Sequence, residues 1–160
     1  MPRVHHVKRA RKAVKSAGIK VGDSYYWWKF RYGGKHTSKT PPRQSQLTNS
    51  DKLSRAYAAS ESLEDIDVSA YESLDDLKSE LENIASEVNE IAEEYSESVQ
   101  NMPEGLQQGS VAEEMEEKAK SLESWSNDIE QALDSIDEED EDWRDQAASA
   151  IEEQAGSCPV

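Results

Sequence analysis

Seven residues, Leu74, Leu77, Leu81, Ile84, Val88, Ile91 and Tyr95, recur at alternating intervals of three and four. An unbroken period of that kind fits one local structure: an α-helix with a narrow apolar stripe that another helix must cover. Glu, Asp, Ser and Asn fill most of the intervening positions, so no second face competes with the stripe.

The covering partner is predicted downstream. The stretch "NMPEGLQQG" (101–109) breaks the helix with Pro103, Gly105 and Gly109. Ser110 followed by Glu113 then has the spacing of a capping box. A second, less regular seam follows: Met115, Leu122, Trp125, Ile129, Ala132, Ile136 and Trp143, with Ala119 and Leu133 alongside. It fades into "DEEDED" (137–142) and ends near Ile151. Two seams joined by a short break predict an antiparallel helical hairpin over 69–153. Each helix of roughly 30–40 residues would span about 45–60 Å. Residues 154–160 are expected to form a disordered tail. Upstream, Thr48 and Asp51 suggest a capping box, with a connecting helix over 48–68 that starts near Asn49 and carries Leu53 and Tyr57 on one face. Ser60, Asp67 and Val68 fit that face poorly, which predicts a bend near 66–69.

Charge divides the chain in the same way. Residues 1–55 hold fourteen Lys or Arg and two acids, Asp23 and Asp51. The remaining residues hold four Lys or Arg and thirty-two acids. The overall net charge of -16 therefore conceals a strongly basic N-terminal head, 1–47, and the asymmetry implies two separate tasks.

The head carries "SYYWWKFRYGGKHTSK" (24–39), with three of the six Tyr, two of the four Trp and the only Phe. Aromatic residues favour strands, and Gly33-Gly34 offers the positive φ values of a two-residue hairpin turn. In that register Tyr32 opposes Lys35 and Phe30 opposes Thr37. Trp28, Phe30, Tyr32, Lys35, Thr37 and Lys39 then share one face, the better core candidate. Trp27, Lys29, Arg31, His36 and Ser38 share the other. Further upstream, Val4 and Val7 suit a short strand, "KRARKAVKSA" suits a helical turn closed by Gly18, and a disordered basic arm is the third alternative.

Aromatic rings interleaved with cations give bases a stacking surface and phosphates a counter-charge. The candidate nucleic-acid-binding residues are Trp27, Lys29, Arg31 and His36, supported by Lys8, Arg9, Arg11, Lys12, Lys35, Lys39 and Arg43. The same rings also serve a small sheet that must build a core without metal. The acidic helices have a plain reading as a solvated surface and sharper ones as a seam for self-association, a mimic of DNA or a dock for a basic protein.

Other classes find little support. The chain has no P-loop, Rossmann glycine pattern, nucleophile elbow or H-E-x-x-H, and its carboxylates lie on helix faces, so an enzyme is not expected. No cofactor is expected. Cys158 is the only cysteine, which excludes an intrachain disulfide or a Cys-based metal site. His5, His6 and His36 form a conceivable metal set, but the surrounding cations oppose a second positive ion. No apolar run approaches 18 residues and no apolar signal core begins the chain, so no membrane span or secretion is expected. "KRARK" (8–12) suits a nucleic-acid-binding arm as well as an import signal.

The segments "GIKVGDSYYWWKFRYGGKHTSKTPPRQSQLTNSDKLSRAYAASES" and "NMPEGLQQGS" resemble a group of uncharacterised proteins of tailed bacteriophages and environmental viral sequences. That resemblance implies a location in the host cytoplasm or the virion. "IKVGDSYYWW" is also similar to the second half of a zinc-ribbon knuckle, where a Cys-x-x-Cys pair precedes the isoleucine. This chain has "AVKSAGI" (13–19) there and no cysteine, so no metal ligand carries over. The aromatic strand, "GGK" and basic return strand are similar to the small DNA-contacting sheets of phage integrase arm domains. The sequence thus predicts a mainly α protein: a long antiparallel coiled-coil hairpin with a small basic β-hairpin module.

Overall fold

The 74–95 stripe lies on one helix, α2 (Leu74–Gln100), in the computed structural model, which describes residues 1–160. Ser73 caps it by accepting from the Asp76 N–H, and Asp75 and Asp76 place negative charge in its first turn. All seven stripe residues are buried. Each is more than nine-tenths buried, within a chain whose apolar content is only 35%, so burial is concentrated along this line.

The protein is mainly α with a small N-terminal sheet. Two units divide at Ser54/Arg55. The elements in order are β1 (His5–Val7), β2 (Tyr25–Lys29), β3 (Lys35–Ser38), α1 (Asp51–Glu64), α2, a single turn α3 (Glu104–Gln107), α4 (Ser110–Gln131) and α5 (Trp143–Gly156).

In the second unit α2 and α4 pack together along their lengths. The Ser126 hydroxyl donates to the Ala85 carbonyl at 2.7 Å, and Lys78 lies 3.8 Å from Asp134. Ascending α2 from 78 to 85 descends the partner from 134 to 126, so the pair is antiparallel. Leu122, Trp125, Ile129 and Leu133 are buried, whereas Met115 and Ile136 are half-buried against the core.

Four expectations need correction here. The second seam does not run on through Trp143. The helix ends at Gln131, the chain turns through 132–142, and α5 returns to the core with Trp143, Ala147, Ile151 and Ala155 buried. Six successive carboxylates at 137–142 repel one another in a helix, and here they form the turn instead. Asp137 accepts from the Glu139 N–H, and Glu138 accepts from the Leu74 N–H at the positive end of α2. The hairpin over 69–153 is therefore part of a four-helix core, because α1 adds Ala56, Ala59 and Leu63 to it.

The tail at 154–160 is docked rather than disordered. Gln154–Gly156 complete α5, and Cys158 and Val160 pack on the core. The Tyr57 hydroxyl donates to the Val160 backbone oxygen at 3.1 Å, and the Trp125 indole N–H donates to the Gln154 carbonyl at 3.0 Å. Burial pushes the Cys158 thiol above its ordinary pKa.

Both capping boxes were also misplaced. Ser110 is already inside α4, whose cap Gly109 makes no side-chain bond. At α1 the Ser50 hydroxyl accepts from the Leu53 N–H, while Thr48 accepts from the Ser50 N–H one turn earlier. The bend at 66–69 is present: α1 ends at Glu64, and Asp67 starts a short turn by accepting from the Ser69 hydroxyl and the Ser69 N–H, which lower its pKa in that order. Ser60, the poor fit to an apolar face, is buried because its hydroxyl donates to the Ala155 carbonyl at 2.8 Å. Arg55 reaches Glu87, Glu90 and Glu94, one ridge of α2.

In the first unit the strands form an antiparallel sheet in the order β1-β2-β3. Of the alternatives for residues 1–20, two are formed: the strand, at His5–Val7, and a helical turn closed by Gly18, shortened to Lys15–Ala17. The chain between β1 and β2 folds into a knuckle. Val14 and Ile19 exchange N–H···O bonds of 2.9 and 3.1 Å, Lys15–Ala17 make one tight turn, and Gly18 closes it at φ 63. Ile19 and Ala10 are buried in this unit, so backbone bonds and apolar contact hold the segment where a cysteine pair is lacking.

Candidate nucleic-acid interface

The hairpin register differs from the sequence expectation by three residues. Trp28 pairs with His36, Trp27 with Thr37 and Lys29 with Lys35, which leaves Phe30–Gly34 as the loop. Gly33 and Gly34 do not have positive φ. The Gly33 N–H donates to the Phe30 carbonyl at 3.3 Å, so Arg31 and Tyr32 occupy the two corners of the turn. Gly33 fits for another reason: a Cβ there would lie 3.3 Å from the Phe30 Cβ, and that neighbour would have to yield by a few tenths of an ångström. The physical cause of the shift is ring pairing. The expected register set Trp28 against Lys39. The observed one stacks Trp28 on His36, with centroids 5.5 Å apart and planes at 14°, and sets Phe30 edge-on to the same imidazole. It also leaves Lys39 3.9 Å from Asp23.

An odd shift moves every side chain of the return strand to the opposite face. His36 therefore leaves Trp27, Lys29 and Arg31 and joins Trp28, Tyr26 and His6. Lys35 and Thr37 join Trp27 and Lys29. The four residues expected to share one face are thus not all together. Tyr32 and Lys35 are not on the core face with Trp28 either: Lys35 lies on the Trp27 face, and Tyr32 is at the loop corner, 88% exposed.

Trp27 lies in the middle strand. His5 from β1 stacks on it at 4.2 Å and 9°, and the Lys35 ammonium from β3 lies 4.4 Å from its ring centroid. Both flanking strands thus supply cover to Trp27, which is half-buried and is not an open stacking platform. Next to it, Lys29 and Lys35 stand directly opposite each other, and neither they nor Arg31 has a carboxylate partner. Like charges at a cross-strand pair are destabilising unless an anion lies between them. At the corner the Arg31 guanidinium lies 5.3 Å from the Tyr32 centroid. The Lys29, Arg31 and Lys35 cations and the Tyr32 ring are all exposed.

The remaining candidates are spread around this unit. Lys8 and Arg9 follow β1, Arg11 and Lys12 lie before the knuckle, and Arg43 precedes the turn at Gln44–Leu47; all five side chains are exposed. Lys39 is committed to Asp23. The opposite face borders a cavity of about 600 Å3 lined by Trp28, Phe30, His36 and the hydroxyl and amide side chains of 46–54. Asp51 also lines it, which disfavours a phosphate there. The Trp28 indole N–H is buried without an acceptor, a cost of about 1–3 kcal/mol.

The three histidines do not converge. His5 faces Trp27 on one side of the sheet. His6 stacks on Tyr26 from the other and bonds the Ser24 hydroxyl at 2.8 Å. No group of three or more His, Cys, Asp or Glu side chains is arranged to hold a metal ion. No helix is long and apolar enough to cross a membrane.

Sequence reasoning missed Tyr32 and His5. The signal for Tyr32 was present in "FRYG", a four-residue turn in which glycine ends the turn instead of forming its centre. His5 carried no signal, because its role depends on a third strand. No protein-family profile, no characterised protein and no solved structure matches this chain.

Proposed function

We propose that this is a non-enzymatic nucleic-acid-binding protein that engages its ligand through the N-terminal unit. One observation carries the reading: Lys29, Lys35 and Arg31 form an exposed cationic cluster without carboxylate partners beside aromatic rings, in a unit with thirteen cations and two acids. Phosphates supply the missing counter-charge. The thirty-two acids of the helical unit repel nucleic acid and favour binding at the head. A viral setting, in the host cytoplasm or the virion, rests on the resemblance of the hairpin and inter-helix segments to phage proteins.

The test is a salt titration of binding between the full chain and short single- and double-stranded oligonucleotides, read by fluorescence anisotropy. Two phosphate contacts, one at the Lys29–Lys35 pair and one at Arg31, give a slope of about -1.4 in log K against log salt on a single strand. Replacing Lys29 and Lys35 by Gln should flatten that slope by about 0.7. Absence of binding at low salt to every probe rejects the reading.

A second reading has its own support. A groove of about 550 Å3 runs between the end of α1 and α5, lined by Leu63, Ile66, Val68, Ala148, Ile151 and Ala155 and edged by Glu64 and Glu152. That combination suits an apolar side chain on a basic protein segment. Self-association through an uncovered α2 seam loses its original motive, since α1, α4 and α5 share one core with that seam. Sedimentation of the full chain decides between monomer and oligomer.

A further inference from the structure

We infer that the hairpin loop is a single-strand recognition site, in which Tyr32 stacks on an unpaired base while the opposed Lys29 and Lys35 hold the adjoining backbone phosphate. The inference rests on the nucleic-acid reading and specifies which form of nucleic acid the site takes and which ring reads it.

Three observations lead to it. First, Tyr32 is 88% exposed, more than any other large hydrophobic side chain, Met1 at 82% included, and it occupies a turn corner where it contributes nothing to a core. Second, Trp27, the obvious stacking candidate, has both His5 and Lys35 over its ring, whereas Tyr32 has only the Arg31 guanidinium at 5.3 Å, so the ring with a face left open in this cluster is that of Tyr32. Third, Lys29 and Lys35 are Cα partners at the end of the ladder where the loop begins. Directly opposed side chains on one sheet face have Cβ atoms about 4.5–5.5 Å apart. Two ammonium groups on such stems can approach one phosphate from both sides, and neither has an acid to neutralise it within the protein.

The geometry selects for a single strand. In a duplex each base has both faces covered by its neighbours, so a tyrosine ring can stack only where a base is unpaired or terminal. Arg31, beside the ring, adds a cation that favours the electron-rich face of a stacked base and a second phosphate contact. Neither a phenol ring nor an ammonium group distinguishes sequence, so binding is sequence-tolerant.

The experiment uses the full chain, fluorescent single-stranded DNA and RNA of one mixed sequence, and the matching DNA duplex. The variants are Tyr32→Ala, Tyr32→Phe and Lys29→Gln with Lys35→Gln. Because the ring is exposed, Tyr32→Ala leaves the fold intact, which near-ultraviolet circular dichroism verifies. The inference expects tighter single-strand than duplex binding and a roughly ten-fold loss for Tyr32→Ala on the single strand. It expects little change on the duplex and restoration by Tyr32→Phe, which keeps the π-face. The sugar arm that shows the loss names the nucleic acid, and a loss in both arms upholds the inference equally. Single-strand binding that ignores Tyr32→Ala overturns the inference but leaves the nucleic-acid reading standing. A loss on the duplex as large as on the single strand also overturns it, since the ring then acts as a wedge. If no probe binds, the proposed function fails and this inference with it.

Discussion

The two units of this protein are stabilised in different ways. The helical unit, Arg55–Val160, buries twenty-four apolar side chains, and the head, Met1–Ser54, buries three: Ala10, Ile19 and Trp28. The helices place their apolar residues in one continuous core and leave carboxylates outside. The head relies on cross-strand ring pairs, a backbone-closed knuckle and one deeply buried tryptophan. A unit with so small a core can leave an aromatic ring exposed without losing its fold. The helices hold most of the buried apolar surface and nearly all of the negative charge, and the proposed function places the ligand on the head.

Breaking the helical side of the comparison should have the largest effect. Leu81 is 2% exposed in the α2 seam. Leu81→Asp combines a lost side chain with a buried carboxylate and should cost about 4 kcal/mol or more. Far-ultraviolet circular dichroism should register a large drop in melting temperature. An unchanged melt would mean that the seam is not the core.

Breaking the head should be almost as costly locally and nearly invisible to that probe. Trp28→Ala should destabilise the head by about 3–5 kcal/mol, seen as loss of near-ultraviolet signal while far-ultraviolet helicity persists. Trp28→Phe removes the buried indole N–H that has no acceptor, as the alanine variant does, but keeps a packed ring, so it should cost well under the alanine variant. Equal costs would mean that the Trp28 ring does not pack as a core side chain.

A finer test concerns the turn. Gly33→Ala should cost about 1–2 kcal/mol, through the 3.3 Å approach of its Cβ to Phe30. Gly34→Ala should be close to neutral, since nothing lies within 4 Å of the added carbon. A two-residue glycine turn would penalise both substitutions through positive φ. Thermal melts of the pair followed in the near ultraviolet therefore distinguish the two registers.

Those experiments also show what was legible beforehand. The α2 seam was readable because a heptad pattern depends on local spacing and admits one covering geometry. The hairpin's existence was readable from its aromatics, but its register was not. Register depends on which rings pair, and Trp28 with His36 prevailed over the glycine-turn signal. That error moved His36 off the candidate face, brought Lys35 onto it, and hid Tyr32 among supposed core residues. The return of α5 was unreadable for a similar reason. Trp143 and Ile151 are spaced to extend a seam, and only the repulsion among 137–142 indicates a turn. Long-range partners such as His5 on Trp27, or Ser60 on Ala155, leave no local pattern at all.

The smallest expected effect concerns the docked tail. The Cys158 thiol is half-buried and its pKa is raised by burial, so less thiolate is present at mildly alkaline pH than in a free thiol. Alkylation of the native chain should be several-fold slower than in denaturant, with no change in helicity. Equal rates would show that residues 157–160 are undocked.

The division of labour itself is tested most directly by photo-cross-linking the full chain to a short single-stranded oligonucleotide carrying a photoreactive base, followed by peptide mapping. The account predicts cross-links within residues 25–39, centred on Tyr32, that disappear as salt is raised, and none within 55–160. Cross-links concentrated on the helical unit, or none in the head under conditions where binding is measured, would contradict it.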